Sequence, residues 1–166
     1  LPSGGNWSAA ANWLPNQVPA SGDRVFITNS GTYTVSLAAA ASITDLTVGG
    51  DSGQQTLANT GHSLLVSGAT QVGANGVLQW TGGTLDARGD FAVRGAFEWR
   101  AGSLAAQTDV VIQTNGLLLI TCAATNTIYG TITNAGLLTI SGPGEWRFDS
   151  ASLDNTFCNR AKSFRW

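Results

Sequence analysis

The chain has 166 residues, of which only 11% are charged, and its formal net charge is −2 at pH 7. An ordinary globular domain carries about 25% charged residues, so neutral hydroxyl and amide side chains replace charge on this surface. The small negative charge excludes nucleic-acid binding through a basic face, and no apolar run approaches the ~20 residues that a transmembrane segment needs. The length fits one domain with a substantial core.

The sequence of the amino-terminal part of the chain predicts turns followed by short strands. Residues 1–24 are rich in turn-forming residues and contain two tryptophans, Trp7 and Trp13. Strand candidates follow at residues 25–28, 33–37 and 43–48, where apolar and polar residues alternate. The chain contains no methionine and begins at Leu1, which favours a processed or cloned boundary at this end.

A weak repeat occupies residues 75–141. Four segments align on a glycine: Gly76-Val-Leu-Gln-Trp80, Gly95-Ala-Phe-Glu-Trp99, Gly116-Leu-Leu-Leu-Ile120 and Gly136-Leu-Leu-Thr-Ile140. The glycines are 19, 21 and 20 residues apart (95 − 76, 116 − 95, 136 − 116). The second and fourth residues after each glycine are apolar, and positions two apart share one face of a strand. The repeat therefore predicts buried ladders in which Trp80 lies near Trp99 and Ile120 near Ile140.

Further strands follow each glycine at matching distances. Leu85 and Leu104 each lie nine residues after their glycine, and Thr125 and Glu145 hold that position in the third and fourth copies. Further along the chain, Phe91 and Val110 each lie fifteen residues after the glycines of the first two copies. Each coil therefore offers about three short strands, separated by Gly, Ser, Asn and Asp residues that favour turns.

This pattern predicts an all-β fold, namely a single-stranded parallel β-helix, or β-solenoid, with about three short strands per ~20-residue coil. We expect a right-handed solenoid that forms a single domain over residues 1–166. Residues 1–24 are interpreted as an amino-terminal cap, because an open strand edge templates aggregation. Residues 25–148 form the coils, and residues 149–166 form a carboxy-terminal cap or tail. Cys122 and Cys158 allow one disulfide without requiring it.

Several motifs carry a resemblance to known proteins. The early motifs are Gly-Asn-Trp-Ser (5–8), Asn-Trp (12–13), Val-Pro (18–19), Gly-Asp-Arg-Val (22–25), Tyr-Thr-Val (33–35) and Ile-Thr-Asp-Leu-Thr-Val-Gly (43–49). These resemble the start of bacterial secreted or surface-anchored β-helix proteins. Trp-Thr-Gly-Gly-Thr-Leu (80–85) and Thr-Asn-Ala-Gly-Leu-Leu-Thr-Ile (133–140) resemble the passenger repeats of adhesin- and autotransporter-like chains. The resemblance implies an extracellular or bacterial cell-surface location, and it implies no particular activity.

The strongest candidate for chemistry is a pair of carboxylates, Asp90 and Asp109. Each lies fourteen residues after its glycine, so the two are expected on neighbouring coils, and Asp86 and Arg88 lie on the same segment as Asp90. In β-helix lyases and glycosidases, carboxylate clusters bind Ca²⁺ or act as acid and base. Because Gly130 holds the same position in the next copy, we prefer a turn to a catalytic or Ca²⁺ site.

Aromatic residues supply the other candidates. Trp7, Trp13 and Trp146 are candidate contacts for a polysaccharide or a cell-surface glycan, since flat rings stack on sugar faces, although Trp7 and Trp13 are first interpreted as cap residues. Trp80 and Trp99 are assigned to the core, because isoleucines follow them in register. His62, the single histidine, together with two distant cysteines does not give the spacing of a tetrahedral metal site, so no metal site is predicted.

The sequence favours a non-catalytic structural or adhesive module. Two alternatives stay open: a carbohydrate-binding module, and a polysaccharide lyase or glycosidase that uses the stacked carboxylates. Exposed aromatic residues in a row would favour the carbohydrate-binding module, and their burial would favour the structural one. No cofactor is expected apart from the Ca²⁺ of the enzyme alternative, and self-association through the solenoid ends is a further expectation.

Overall fold

The computed structural model describes residues 4–121 and 126–143, together with the backbone of three later strands. The fold is all-β, and its parallel sheets stack as a β-solenoid of about five turns with about 21 residues per turn. The predicted fold class is therefore confirmed, while the handedness stays a prediction. A three-residue 3₁₀ turn, Ala10–Asn12, interrupts the strands near the amino end.

The described strands, numbered along the chain, form three faces. The first face contains β1 (Gly5–Asn6), β3 (Tyr33–Leu37), β6 (Gln55–Asn59), the first parts of β9 (Gly76–Ala87) and β11 (Ala96–Ala106), β13 (Leu117–Thr121), β16 (Leu137–Ser141) and β19 (Phe164–Arg165). The second contains β4 (Ala41–Ile43), β7 (Leu64–Val66), the later parts of β9 and β11, β14 (Asn126–Tyr129) and β17 (Trp146–Phe148). The third contains β2 (Arg24–Ile27), β5 (Asp45–Val48), β8 (Thr70–Val72), β10 (Phe91–Val93), β12 (Val110–Ile112), β15 (Ile132–Asn134) and β18 (Phe157–Asn159). Because β9 and β11 run around a corner, the first two faces share one sheet.

The first face carries the ladder that the repeat predicts. Trp80 pairs in register with Trp99, and Ile120 pairs with Ile140. Both tryptophans are buried, at 0% and 1% exposure. The ring of Phe97 lies nearly parallel to that of Trp99, with their centroids 6.1 Å apart. The apolar positions of the repeat therefore form a continuous core inside the solenoid.

The second face departs from the predicted register in the third copy. Leu85 pairs with Leu104 as predicted, but Leu104 pairs with Ile128 on its other side. The assignments of Thr125 and Glu145 to this ladder were wrong, because Ile128 pairs in turn with Phe148. Thr125 and Glu145 themselves lie outside the described residues. The physical reason is the number of intervening residues: eight positions separate Ile120 from Ile128, where five separate Trp99 from Leu104 in the preceding coil.

Buried amides close two of the corners. The Asn59 side chain is 0% exposed, and its Nδ2 donates to the carbonyl oxygens of His62 (2.7 Å) and Gly82 (2.8 Å). Its Oδ1 accepts the backbone N–H of His62 (2.9 Å). Gln55, also 0% exposed, accepts the Gly50 N–H (2.7 Å) at another corner. These amides pair the backbone groups that a turn removes from the strand ladder.

The amino end is covered in part. Strand β1 pairs with β3, with Gly5 opposite Val35, and the backbone N–H of Trp7 donates to the Ser36 carbonyl oxygen (2.8 Å). The Trp7 ring is 2% exposed and belongs to the core. Among the described strands, β2 pairs only with β5, so β2 lies at the edge of the third face.

Candidate functional site

A cleft of about 380 Å³ lies at the amino end of the solenoid. One wall is the cap segment that contains Trp13 and Leu14, and the other wall is β2 with the turn that follows it. Tyr33 and Val35 of β3 also line the cleft. Because the inward Val25 and the outward Phe26 both line it, the cleft opens over the end of the core, along the edge of β2.

The cap positions Trp13 by contacts with Trp7. The two rings meet edge to face with their centroids 5.0 Å apart, and Trp13 Nε1 donates to the Trp7 carbonyl oxygen (2.7 Å). Trp13 is half-buried and packs against the core. The cap therefore holds the Trp13 ring in a fixed orientation beside the cleft.

Two large apolar side chains of the cleft are exposed to solvent. Leu14 is 97% exposed and Phe26 is 56% exposed. The Arg24 guanidinium lies 5.8 Å from the centroid of the Phe26 ring, within the range of a cation–π contact. Exposed apolar side chains beside a concave surface are typical of binding sites.

Three polar side chains of the cleft, including both charged ones, already have partners within the chain. Arg24 Nε lies 2.7 Å from Asp45 Oδ2 in an ion pair. Asp23 Oδ2 accepts the Ala20 N–H (2.9 Å), and Asn12 Nδ2 donates to the Asn6 carbonyl oxygen (2.9 Å). The cleft therefore presents little unpaired charge to a ligand.

Tyr33 adds a neutral phenol to the cleft. Burial raises the pKa of the Tyr33 hydroxyl above its usual value, and a hydrogen bond with the backbone of Asn29 opposes this shift in part. The phenol therefore stays protonated at neutral pH.

The structure places Asp86 and Arg88 close together. Asp86 lies on the second face, in β9, and Arg88 lies in the turn after this strand. Arg88 Nη2 lies 2.8 Å from Asp86 Oδ2, and the side chains are 45% and 28% exposed respectively. The hydrogen bond to Asp86 and then its charge raise the pKa of Arg88, so the guanidinium stays charged. An exposed pair of this kind contributes little to stability.

Asp90 and Asp109 lie on neighbouring coils, as their spacing predicted. They directly precede Phe91 and Val110, which pair in register, and both aspartates are exposed. In the next coil the matching residue is Thr131, since Val110 pairs with Ile132, so the prediction of Gly130 was wrong. The third copy is one residue longer between its glycine and the third face.

No metal-binding cluster accompanies these aspartates in the part of the chain that the structure describes. Groups of three or more His, Cys, Asp and Glu residues arranged to hold a metal ion are absent there. His62 is half-exposed at the corner that Asn59 closes. Trp146 starts β17, and its side chain lies outside the described residues, as do the side chains of Cys122 and Cys158.

Sequence reasoning did not identify Phe26 and Tyr33 as neighbours of Trp13. One signal was available for Phe26: the inward positions Val25 and Ile27 leave it on the outer face of its strand, where a large aromatic side chain is unusual. The approach of Tyr33 depends on the path of the cap, which no periodicity in the sequence describes.

Within the described ranges, no helix has the length and apolar character needed to cross a bilayer. Comparison of the chain with models of protein families, with curated proteins and with solved structures finds no match.

Proposed function

We propose that the chain is a non-catalytic structural or adhesive β-solenoid module of a bacterial extracellular or cell-surface protein. The observation that carries the proposal is the burial of Trp80 and Trp99 in the core ladder of the first face. Aromatic rings on neighbouring coils would form a platform for a sugar only if they faced solvent. In the core they instead stabilise the stack of coils.

The arrangement of charge supports a non-catalytic role. Asp86 is held in an ion pair with Arg88, and Asp45 in one with Arg24. Asp90 and Asp109 are exposed in turns, where water solvates them. General acid–base catalysis needs a group placed within hydrogen-bond reach of the bond that reacts, normally in a cleft. The cleft at the amino end lies on a different coil from Asp86, Asp90 and Asp109.

The outer faces support a rod-like spacer or adhesive surface. Neighbouring coils of the first face carry locally paired side chains, such as Gln79, whose Nε2 donates to Glu98 Oε2 (2.9 Å). Glu98 also pairs with Arg100 at 3.5 Å. Such pairing avoids the repulsion that like charges repeated at each coil would cause. The resemblance of the repeats to surface proteins supports the proposed extracellular location.

Carbohydrate binding is the second candidate, and Trp13 is the observation that favours it. Its ring is half-buried and lines a concave site, whereas Trp7 has no exposed face in this conformation. A single fixed ring gives one stacking position for a sugar. Tyr33 adds a hydroxyl group at the same site.

A glycan-array screen of the purified chain, with and without Ca²⁺, tests the proposal. The screen includes Trp13→Ala and Asp90→Ala, with Asp51→Ala as an exposed control outside both candidate sites. We expect no glycan binding from any variant. Binding lost with Trp13→Ala would establish the carbohydrate-binding alternative, and binding that needs both Ca²⁺ and Asp90 would restore the stacked-carboxylate site.

A further inference from the structure

The free edge of β2 presents backbone hydrogen-bonding groups to the cleft. In a parallel ladder, successive residues of a strand direct their N–H and C=O groups to opposite sides. Ile27 faces β5, because its carbonyl oxygen accepts the Gly49 N–H (3.0 Å). Phe26 therefore directs its N–H and C=O away from β5, toward the cleft.

These outward groups have no backbone partner among the described residues. The described sheet ends at β2, and the hydrogen bonds of the cap do not include the N–H or C=O of Phe26. One coil further on, the equivalent edge of β5 is occupied by β2 itself, since the Gly49 N–H donates to the Ile27 carbonyl oxygen (3.0 Å). The cap therefore covers the end of the core without adding a strand to β2.

The free edge of β2 is long enough for a short extended peptide. Four residues of β2 extend for about 13 Å at the usual strand rise, which is the span of a four-residue extended peptide. The volume of about 380 Å³ lies in the range of ligand sites. Val25 and Ile27 point inward beneath the open edge, and Trp13 lies opposite.

The charges around the edge favour an uncharged ligand. Arg24 is paired with Asp45, and Asp23 accepts a backbone N–H within its own turn. A charged side chain entering the cleft would lose water and gain no free counter-charge. Apolar side chains at alternate positions would instead contact Val25, Ile27 and Trp13.

We propose that the cleft binds an extended, uncharged peptide segment, which adds as a strand to the free edge of β2. This binding activity goes beyond the proposed structural role and stands on the geometry of the amino end. Three polar side chains that a sugar could use, those of Asp23, Arg24 and Asn12, are already paired within the chain, whereas a peptide would bond to the unpaired backbone groups of Phe26. A second solenoid would have to approach the whole end, where β1 and the cap already occupy the first face.

The first test screens a displayed library of random linear octapeptides against the full chain, and each enriched peptide is then N-methylated one residue at a time. Strand addition predicts that methylation weakens binding at every second position by about tenfold or more, because each such group removes one backbone hydrogen bond. Equal sensitivity at all positions, or no enriched peptide, would overturn the proposal.

A matched pair of variants tests the edge itself. Phe26→Pro removes the outward N–H and leaves the ladder with β5 intact, as proline permits at a sheet edge, whereas Phe26→Val keeps that N–H. Both variants lose the ring, so we expect peptide binding to fall at least about tenfold further with Phe26→Pro. Circular dichroism verifies that both fold.

Three outcomes of the second test would contradict strand addition. Equal losses in the two folded variants would assign binding to the ring. Displacement of the peptide by a neutral oligosaccharide would assign the cleft to a sugar. Concentration-dependent self-association that Phe26→Pro abolishes, in the absence of peptide, would assign the edge to a second copy of the chain.

Discussion

Thr70 is a polar residue in the apolar ladder of the third face. It pairs in register with Leu46 on one side and with Phe91 on the other, and it is 0% exposed. Its Oγ1 has no hydrogen-bond partner in the described part of the structure. A buried hydroxyl without a partner costs about 1–3 kcal/mol. Replacing that hydroxyl with a methyl group of similar size should therefore remove this cost.

Thr70→Val is predicted to raise the free energy of unfolding by about 1–2 kcal/mol. Urea denaturation followed by circular dichroism measures the change, and Thr47→Val on the outward side of β5 is the matched control, since Thr47 is a partly exposed residue. Thr70→Ser, which keeps the hydroxyl and loses a methyl group, should destabilise the protein by about 1 kcal/mol. A Thr70→Val variant less stable than the wild type would refute the reasoning, because it would show that the hydroxyl is paired.

Three further predictions concern the cleft and the corners. Folding raises the pKa of Tyr33, so its contribution to the free energy of unfolding is fully present below the usual tyrosine pKa and is lost as pH rises through the raised pKa of the folded protein. Denaturation measured as a function of pH should therefore show a smaller loss of stability at alkaline pH for Tyr33→Phe. Asn59→Leu should lower the free energy of unfolding by about 2–4 kcal/mol, because backbone groups at its corner lose their partners; a loss below about 1 kcal/mol in urea denaturation would contradict the role of the amide. Gly83 and Gly22 both have positive φ (71° and 98°), but a Cβ at Gly83 would lie 2.2 Å from the His62 carbonyl oxygen, whereas one at Gly22 would meet no atom within 4 Å. Thermal denaturation should therefore show a larger loss for Gly83→Ala than for Gly22→Ala, and equal losses would exclude the steric contribution.

The solenoid could be predicted because its core repeats at one interval. Apolar residues two and four positions after each glycine make the inward face of the first-face strands, and Trp80 pairs with Trp99 as the spacing required. The predicted register was wrong where the number of residues between successive strands changed. More residues separate Ile120 from Ile128 than separate Trp99 from Leu104, and a periodic pattern does not reveal where extra residues are placed.

Polar residues in the corners were harder to interpret. Asn59 and Gln55 look like surface residues in the sequence, yet both are fully buried and bond to backbone groups of their own turns. Asparagine and glutamine satisfy such groups only when the turn brings them close, so the signal is geometric and not compositional. The same limit applies to the cleft, where Trp13 was interpreted as a cap residue and its position beside β2 was not predicted.

The measurement that tests the central claim most directly is the stability of Trp80→Ala, compared with glycan binding by the same variant. If Trp80 is a core residue of the stack, its truncation should lower the free energy of unfolding by about 3–5 kcal/mol, and neither protein should bind glycans. A variant with wild-type stability that has lost a glycan interaction of the wild-type chain would contradict the account, since it would show that the ring serves a ligand instead of the core.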